Sequence, residues 1–437
     1  MAFALSTIYS TPLHRYCRWS LAATVACMPL YVVRYHVGPF PTTLLETLAL
    51  ITIALYAAWR LTQLTPPHSW GGGGEAAGGA GLRRTPLEIP TALFVLAAII
   101  GIFVSVEHLG ALGQFRAYFL EPIVLFYIAL DVLETPRDFR LIVGAFLAGA
   151  TLFAILNLGV WADVLARHQP IISTNAPEAL DQNPNAAAMF LEPAVALAAG
   201  LALYSDSKKD RLASLACLVF LLASMVLTLS RAGLLTLAVL SLVAVITMPQ
   251  PRAKLLLLGG AGLGAFLVSR VPWVAIRLAH QFDPHYGEST LHDRLRIWNE
   301  TLHMLHDHPI FGAGLRSYTE VVAPYVGKGY VAQLHPHDIW LAMWSELGML
   351  GVVAFASLLG ILLWGGWRGF ASAQGFYRAV LWGTSAGFVA IVVHGIFDTP
   401  YFKNDLSLEF WILAALEMAA LGMVARHKMT RQRELQR

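Results

Sequence analysis

Residues 330–351, YVAQLHPHDIWLAMWSELGMLG, join two chemistries in one stretch. His335, His337 and Asp338 lead straight into an apolar run that begins at Ile339. A membrane-spanning helix needs about 20 mostly apolar residues, and this run supplies them. The change from polar to apolar therefore places titratable groups at the entrance of a span.

The same pattern recurs along the chain. Of 437 residues 57% are hydrophobic and only 13% charged, with a mean hydropathy of +0.60. These values belong to a membrane protein rather than a soluble one. Twelve apolar windows are centred near residues 25, 52, 98, 124, 150, 195, 220, 240, 262, 350, 387 and 416, so the expected fold is an all-α polytopic membrane protein. The first window is too long, and too closely followed by others, to be a cleaved signal peptide.

Basic residues orient these spans. If the N-terminus is cytoplasmic, 19 of the 30 Lys and Arg fall in inside loops and the tail, so both termini are expected inside. Three units follow: residues 1–270 with nine spans, a loop over 271–337 on the opposite face, and residues 338–437 with three spans and a basic tail. Gly-rich residues 69–82 form an expected flexible cytoplasmic linker. Cys17, Cys27 and Cys217 sit in or beside spans and offer neither a disulfide framework nor a zinc spacing.

The loop is far longer than an ordinary connection and holds eight of the 15 histidines. Leu291, Leu295, Trp298, Leu302 and Leu305 recur at helical spacing, with Ser289 or Thr290 as N-cap and Pro309 as stop. This predicts an amphipathic helix at the membrane surface. The glycine turn in FGAGLRSYTE predicts the start of another helix.

Several residue groups could carry chemistry. Ser230 and Arg231 separate two spans with almost no loop; the arginine either faces a protein cavity or snorkels to lipid phosphates. Arg294 and Trp298 share a helix face, whereas Arg296 points about 200° away. His335 and His337 flank a proline, so they cannot chelate together, and one imidazole works alone as a base or anchors the span. Asn183 and Asn185 suit an N-cap, and Asp398 lies at the end of a span one turn after His394. Glu121 and Glu192, each before a proline, are expected to pair inside the bundle.

LSRAG (229–233), RLRIWNETLHMLHDHPIFGAGLRSY (294–318) and HPHDIWLAMWSELGMLG (335–351), in this order and separated by spans, resemble the O-antigen ligase and polymerase family of bacterial inner-membrane glycosyltransferases. The similarity runs from about Asn183 to Asp398. Twelve spans and the large ninth-to-tenth loop look most like the ligases, which implies a GT-C-like glycosyltransferase with a helical periplasmic loop. The implied donor is an undecaprenyl-diphosphate-linked O-antigen and the implied acceptor the lipid A-core oligosaccharide, with no nucleic acid involved. Carried onto this chain, the resemblance makes Arg231 and Arg294 the diphosphate-binding residues and His337 the base. His335 is the alternative imidazole, and Arg296, Asp398 and Asn185 are supporting residues. Asp338 departs from the family's usual His-Asn, which leaves its role open. No cofactor and no metal are expected, since no Asp-x-Asp motif is present and arginines can neutralise a diphosphate. The alternatives are a polymerase of the same family, or a lipid-linked glycan transporter with Glu121 and Glu192 as carriers.

Overall fold

A computed structural model describes residues 12–38, 40–64, 84–169, 176–180, 183–272, 275–276 and 291–435. The Gly-rich segment 69–82, the N-cap candidates Ser289 and Thr290, and His280 and His285 lie outside them. The described chain is mainly helical: α1 (Pro12–Ala26), α2 (Leu44–Leu64), α3 (Glu88–Val104), α4 (His108–Phe115), α5 (Glu121–Val132), α6 (Pro136–Ala166), α7 (Pro184–Tyr204), α8 (Lys208–Leu227), α9 (Arg231–Thr247), α10 (Pro251–Ser269), α11 (Leu291–Asp307), α12 (Tyr318–Val322), α13 (Ile339–Ser372), α14 (Gly375–Gly395) and α15 (Asn404–Leu435).

Among the described residues seven helices are long and apolar enough to cross a membrane: α2, α6, α7, α8, α13, α14 and α15. They fall on seven of the twelve expected windows; α3 and α9 are shorter apolar helices. The window near 25 gives a helix of only 15 residues, because Pro29 follows in a 3-10 turn and cannot continue the hydrogen-bond ladder. The window near 124 is a composite of α4, one π turn at Arg116–Leu120 and α5. A further departure from an all-α fold is a hairpin, β1 (Arg34–Val37) with β2 (Phe40–Thr43), in antiparallel register Arg34 to Thr43.

α7 is the most buried of the seven spans. It crosses α14 where Gly200 and Gly383 bring the backbones together: a Cβ on Gly200 would lie 2.5 Å from the Ala379 carbonyl oxygen and 2.9 Å from the Gly383 nitrogen. Small residues at such a crossing replace hydrophobic drive with close packing. The antiparallel pair delivers the start of α7 and the end of α14 to one end of the bundle, where the site forms. Farther down this pair, Glu192 of α7 meets His394 of α14 at 2.6 Å, both buried. Glu121 meets Arg116 at 3.3 Å. Both carboxylates thus pair within the bundle.

α13 is not one straight span. Gly348 has φ 69° and ψ −173°, which breaks it near its start. The groups freed by the break are taken up by the loop before it: Ala313 N–H donates to the Ser345 carbonyl at 2.7 Å, and Met349 N–H to that of Ile310 at 2.9 Å. The turn also reaches α3, where Leu315 N–H donates to the Gly101 carbonyl at 3.0 Å. Backbone groups in an apolar setting must find such partners. Gly312 and Gly348 are required here because a Cβ on either would overlap facing backbone.

α11 buries a stripe that shares only Leu305 with the expected one. Arg294, Ile297, Thr301, Met304 and Leu305 face inward, and Met304 and Leu305 form a small core with Ala313, Tyr318 and Val322. Leu295 and Leu302 are exposed. The rotation follows from Arg294, whose charge is drawn to the buried Asp398.

We expect Gly348→Ala to destabilise the purified protein by several kcal/mol, combining a left-handed backbone penalty of about 1–3 kcal/mol with the overlap on Ile310. Gly360→Ala, with open space at its Cβ, should leave thermal unfolding nearly unchanged. Equal midpoints for the two variants would contradict the clamp at the α13 break.

Candidate active site

The cavity at this end has a volume of about 600 Å³. Its walls include Asn185 at the start of α7, Ser230 and Arg231 at the start of α9, Arg294 and Arg296 from α11, and His337 ahead of α13. Of the sequence-derived candidates, Arg231, Arg294, Arg296, Asn185 and His337 therefore share one cavity. Arg231 lies on the cavity wall.

Local sequence explains the aim of each group. Asn183 caps α7 by accepting the Asn185 N–H at 3.0 Å, which leaves the Asn185 side chain for longer contacts. Ser230 caps α9 by accepting the Gly233 N–H at 3.2 Å. Leu229 before it has φ 54°, and His337 has φ 52°, a region that few side chains adopt and that clusters at functional sites. Two helix N-termini and two arginines, Arg231 and Arg294, converge on one space, an arrangement suited to an anion.

Asp398 lies behind the cavity and ties its parts together. Its Oδ1 is 3.2 Å from His337 Nδ1; its Oδ2 accepts from Asn185 Nδ2 at 3.1 Å and lies 3.7 Å from Arg294 Nη2. Asn185 Oδ1 accepts from the Ser230 hydroxyl at 2.8 Å. Arg294 Nη1 and Trp298 Nε1 also donate to the His337 carbonyl, each at 3.4 Å. Burial works against the Asp398 carboxylate, but the hydrogen bond and charge of His337, with Arg294 and His394, outweigh it and hold its pKa well below the ordinary value. Burial lowers the Arg294 pKa against the opposing pull of Asp398; a guanidinium stays charged regardless. With Nδ1 engaged by a carboxylate, the His337 tautomer presents Nε2 to the cavity.

Two candidates stand apart from the cavity wall, and a third, Arg296, lines it with its charge already engaged. His335 is half-buried, outside the cavity wall, and burial lowers its pKa. Asp338 is the N-cap of α13, accepting the Leu341 N–H at 2.8 Å. Arg296 gives Nη1 to both Glu300 oxygens at 2.9 Å, so its charge is already matched. Among the described residues no three His, Cys, Asp or Glu side chains converge as a metal site. Sequence reading did not foresee Trp298 donating to His337, or Glu300 as the partner of Arg296; the i, i+4 spacing of Arg296 and Glu300 was the available signal.

Residues 216–356 match the family described as O-antigen ligase. The match covers about a third of the 437 residues, and over that segment the chain is similar to this family. It contains Arg231, Arg294, His337 and Asp338, while Asn185 and Asp398 lie outside the match. No curated protein matches the chain. Seven helices among the described residues are long and apolar enough to cross a membrane, and the match adds a likeness to a membrane family described as O-antigen ligase. The cap is compatible with the departure from His-Asn at Asp338, since an aspartate or an asparagine offers an oxygen to the first turn of α13.

Asp398→Asn should lower stability with a defined pH dependence. A carboxyl whose folded pKa is depressed contributes fully above its unfolded value of about 3.9, and that contribution is lost as pH falls toward the folded value. The gap between wild type and Asp398→Asn should be constant from about pH 5 upward and shrink below about pH 4. Chemical denaturation across that range checks it; a gap that grows on acidification would contradict the assigned pairing.

Proposed function

We propose that the protein is an O-antigen ligase. It transfers O-antigen glycan from undecaprenyl diphosphate to the lipid A-core oligosaccharide, on the periplasmic face of the bacterial inner membrane with both termini cytoplasmic. The observation that carries this reading is the cavity itself, whose walls bring Arg231, Arg294 and two helix N-termini together with an imidazole braced by a buried carboxylate.

In this reading the donor diphosphate lies against Arg231 and Arg294. Their planar donor sets match phosphate oxygens and offset the charge that grows on the leaving group. The acceptor hydroxyl oxygen attacks the anomeric carbon on the face opposite the diphosphate. The new carbon–oxygen bond forms as the bond to diphosphate breaks, and His337 Nε2 takes the hydroxyl proton. Asp398 holds the resulting imidazolium, and one displacement inverts the anomeric centre. Permanent arginine charge occupies the place that a divalent metal fills in other diphosphate sites, so transfer is metal-independent. Pairing of Glu121 with Arg116 and Glu192 with His394 weighs against a transporter that uses those carboxylates as carriers.

Purified protein in liposomes, given a polyprenyl-diphosphate glycan and lipid A-core, should form ligated product at an unchanged rate after EDTA treatment. Loss of rate restored by magnesium would overturn the arginine clamp. In cells, gene deletion should leave lipopolysaccharide without any O-antigen; retention of a single repeat unit would mark a polymerase instead.

His337→Ala should slow transfer roughly 10²- to 10⁴-fold, the usual worth of a general base, while donor affinity is kept. Arg294→Lys should lose donor affinity nearly as far as Arg294→Ala, because lysine keeps the charge without the fork. Arg296→Ala should retain donor affinity, its charge being matched by Glu300. Donor binding by each variant in detergent separates the roles; a collapse in His337→Ala would make His337 a binding residue.

A further inference from the structure

Beside the cavity lies a flat aromatic surface that the transfer mechanism does not use. Arg296, a cavity-lining residue, places its guanidinium carbon 3.9 Å from the centroid of the Tyr330 ring. One nitrogen of the guanidinium, Nη1, is held by both Glu300 oxygens. Glu300 Oε1 also accepts the Gly327 N–H at 3.1 Å, and Tyr330 N–H returns to the Gly327 carbonyl at 3.1 Å. Gly329, with φ 88°, makes that turn possible. Farther along, the Thr319 hydroxyl holds the Gln333 carbonyl at 3.0 Å, and Gln333 lines the cavity. One face of Tyr330 is therefore covered, its backbone is held in place, and the residue is still 50% exposed.

We propose that Tyr330, braced by Arg296 and Glu300, is a stacking platform for a pyranose ring of the glycan chains handled in the cavity. A sugar ring presents a face of C–H groups whose hydrogens are slightly positive, and an aromatic face is negative. Such a face attracts the ring without ordering many rotatable bonds, and hydroxyls at the ring edge stay available to polar neighbours such as the Gln333 amide. A cation–π pair that served the loop alone would leave glycan binding untouched. The inference rests on the glycosyl-transfer reading, and both glycans carry the chemistry it requires.

The test compares Tyr330→Ala, Tyr330→Phe and Tyr330→Trp in the full-length protein. Tyr330→Ala should raise one KM by about three- to tenfold with kcat unchanged, while Phe and Trp restore it. A rise in the acceptor KM assigns the platform to the lipid A-core sugars, and a rise in the donor KM assigns it to the O-antigen. Saturation-transfer NMR with lipid-free core oligosaccharide and lipid-free O-antigen repeat is read without turnover. It reports on the platform separately from the reaction. Weaker saturation in Tyr330→Ala, recovered in Tyr330→Phe, supports the platform; saturation and both KM values equal to wild type would overturn it.

Discussion

A buried carboxylate is costly unless it is paired, and Asp398 is paired from three directions at once. Asn185 reaches it from α7, Arg294 from α11 and His337 from the entrance of α13. These residues are far apart in sequence, and the need to satisfy one charge brings them together. The same carboxylate accounts for the rotation of α11, which turns an arginine inward and leaves Leu295 and Leu302 outside. Removing Asp398 would leave a buried guanidinium and an imidazole without their common partner.

The outer segment could not hold Arg294 in place if it were fastened only by side chains. Its anchor is backbone to backbone, at the break of α13. The carbonyl of Ser345 and the N–H of Met349 lose their helical partners near Gly348, and residues 310–314 replace them. The replacement requires glycine at 312 and 348, where any side chain would strike the facing strand of backbone. The cavity residues Arg294 and His337 are thus carried on a segment whose position is set by hydrogen bonds that an apolar environment enforces.

Much of this was legible in the sequence because membrane helices and charged residues leave strong signals. The windows near residues 150, 195, 350, 387 and 416 became long helices, and Arg231, Arg294 and His337 met in one cavity. What was not legible depends on pairings between distant segments. The break at Gly348 is hidden inside a mostly apolar run in which only Ser345 and Glu346 precede it as polar residues. The stripe of α11 could not be phased from leucines, because the inward face is chosen by Asp398, about a hundred residues away. Asp338 looked like an active-site substitution until its side chain was seen to cap a helix. The hairpin at Arg34–Thr43 escaped notice because its apolar flanks resemble the margins of spans.

The central claim is that one base and one arginine-held diphosphate act in a single displacement. Stereochemistry tests this most directly. Donor glycan of defined anomeric configuration, incubated with purified protein and lipid A-core, should give a product whose new glycosidic linkage, read by NMR coupling constants, has the opposite configuration. Retention of configuration would contradict the account, because it requires a covalent intermediate or a second nucleophile that His337 and Asp398, as arranged here, do not provide.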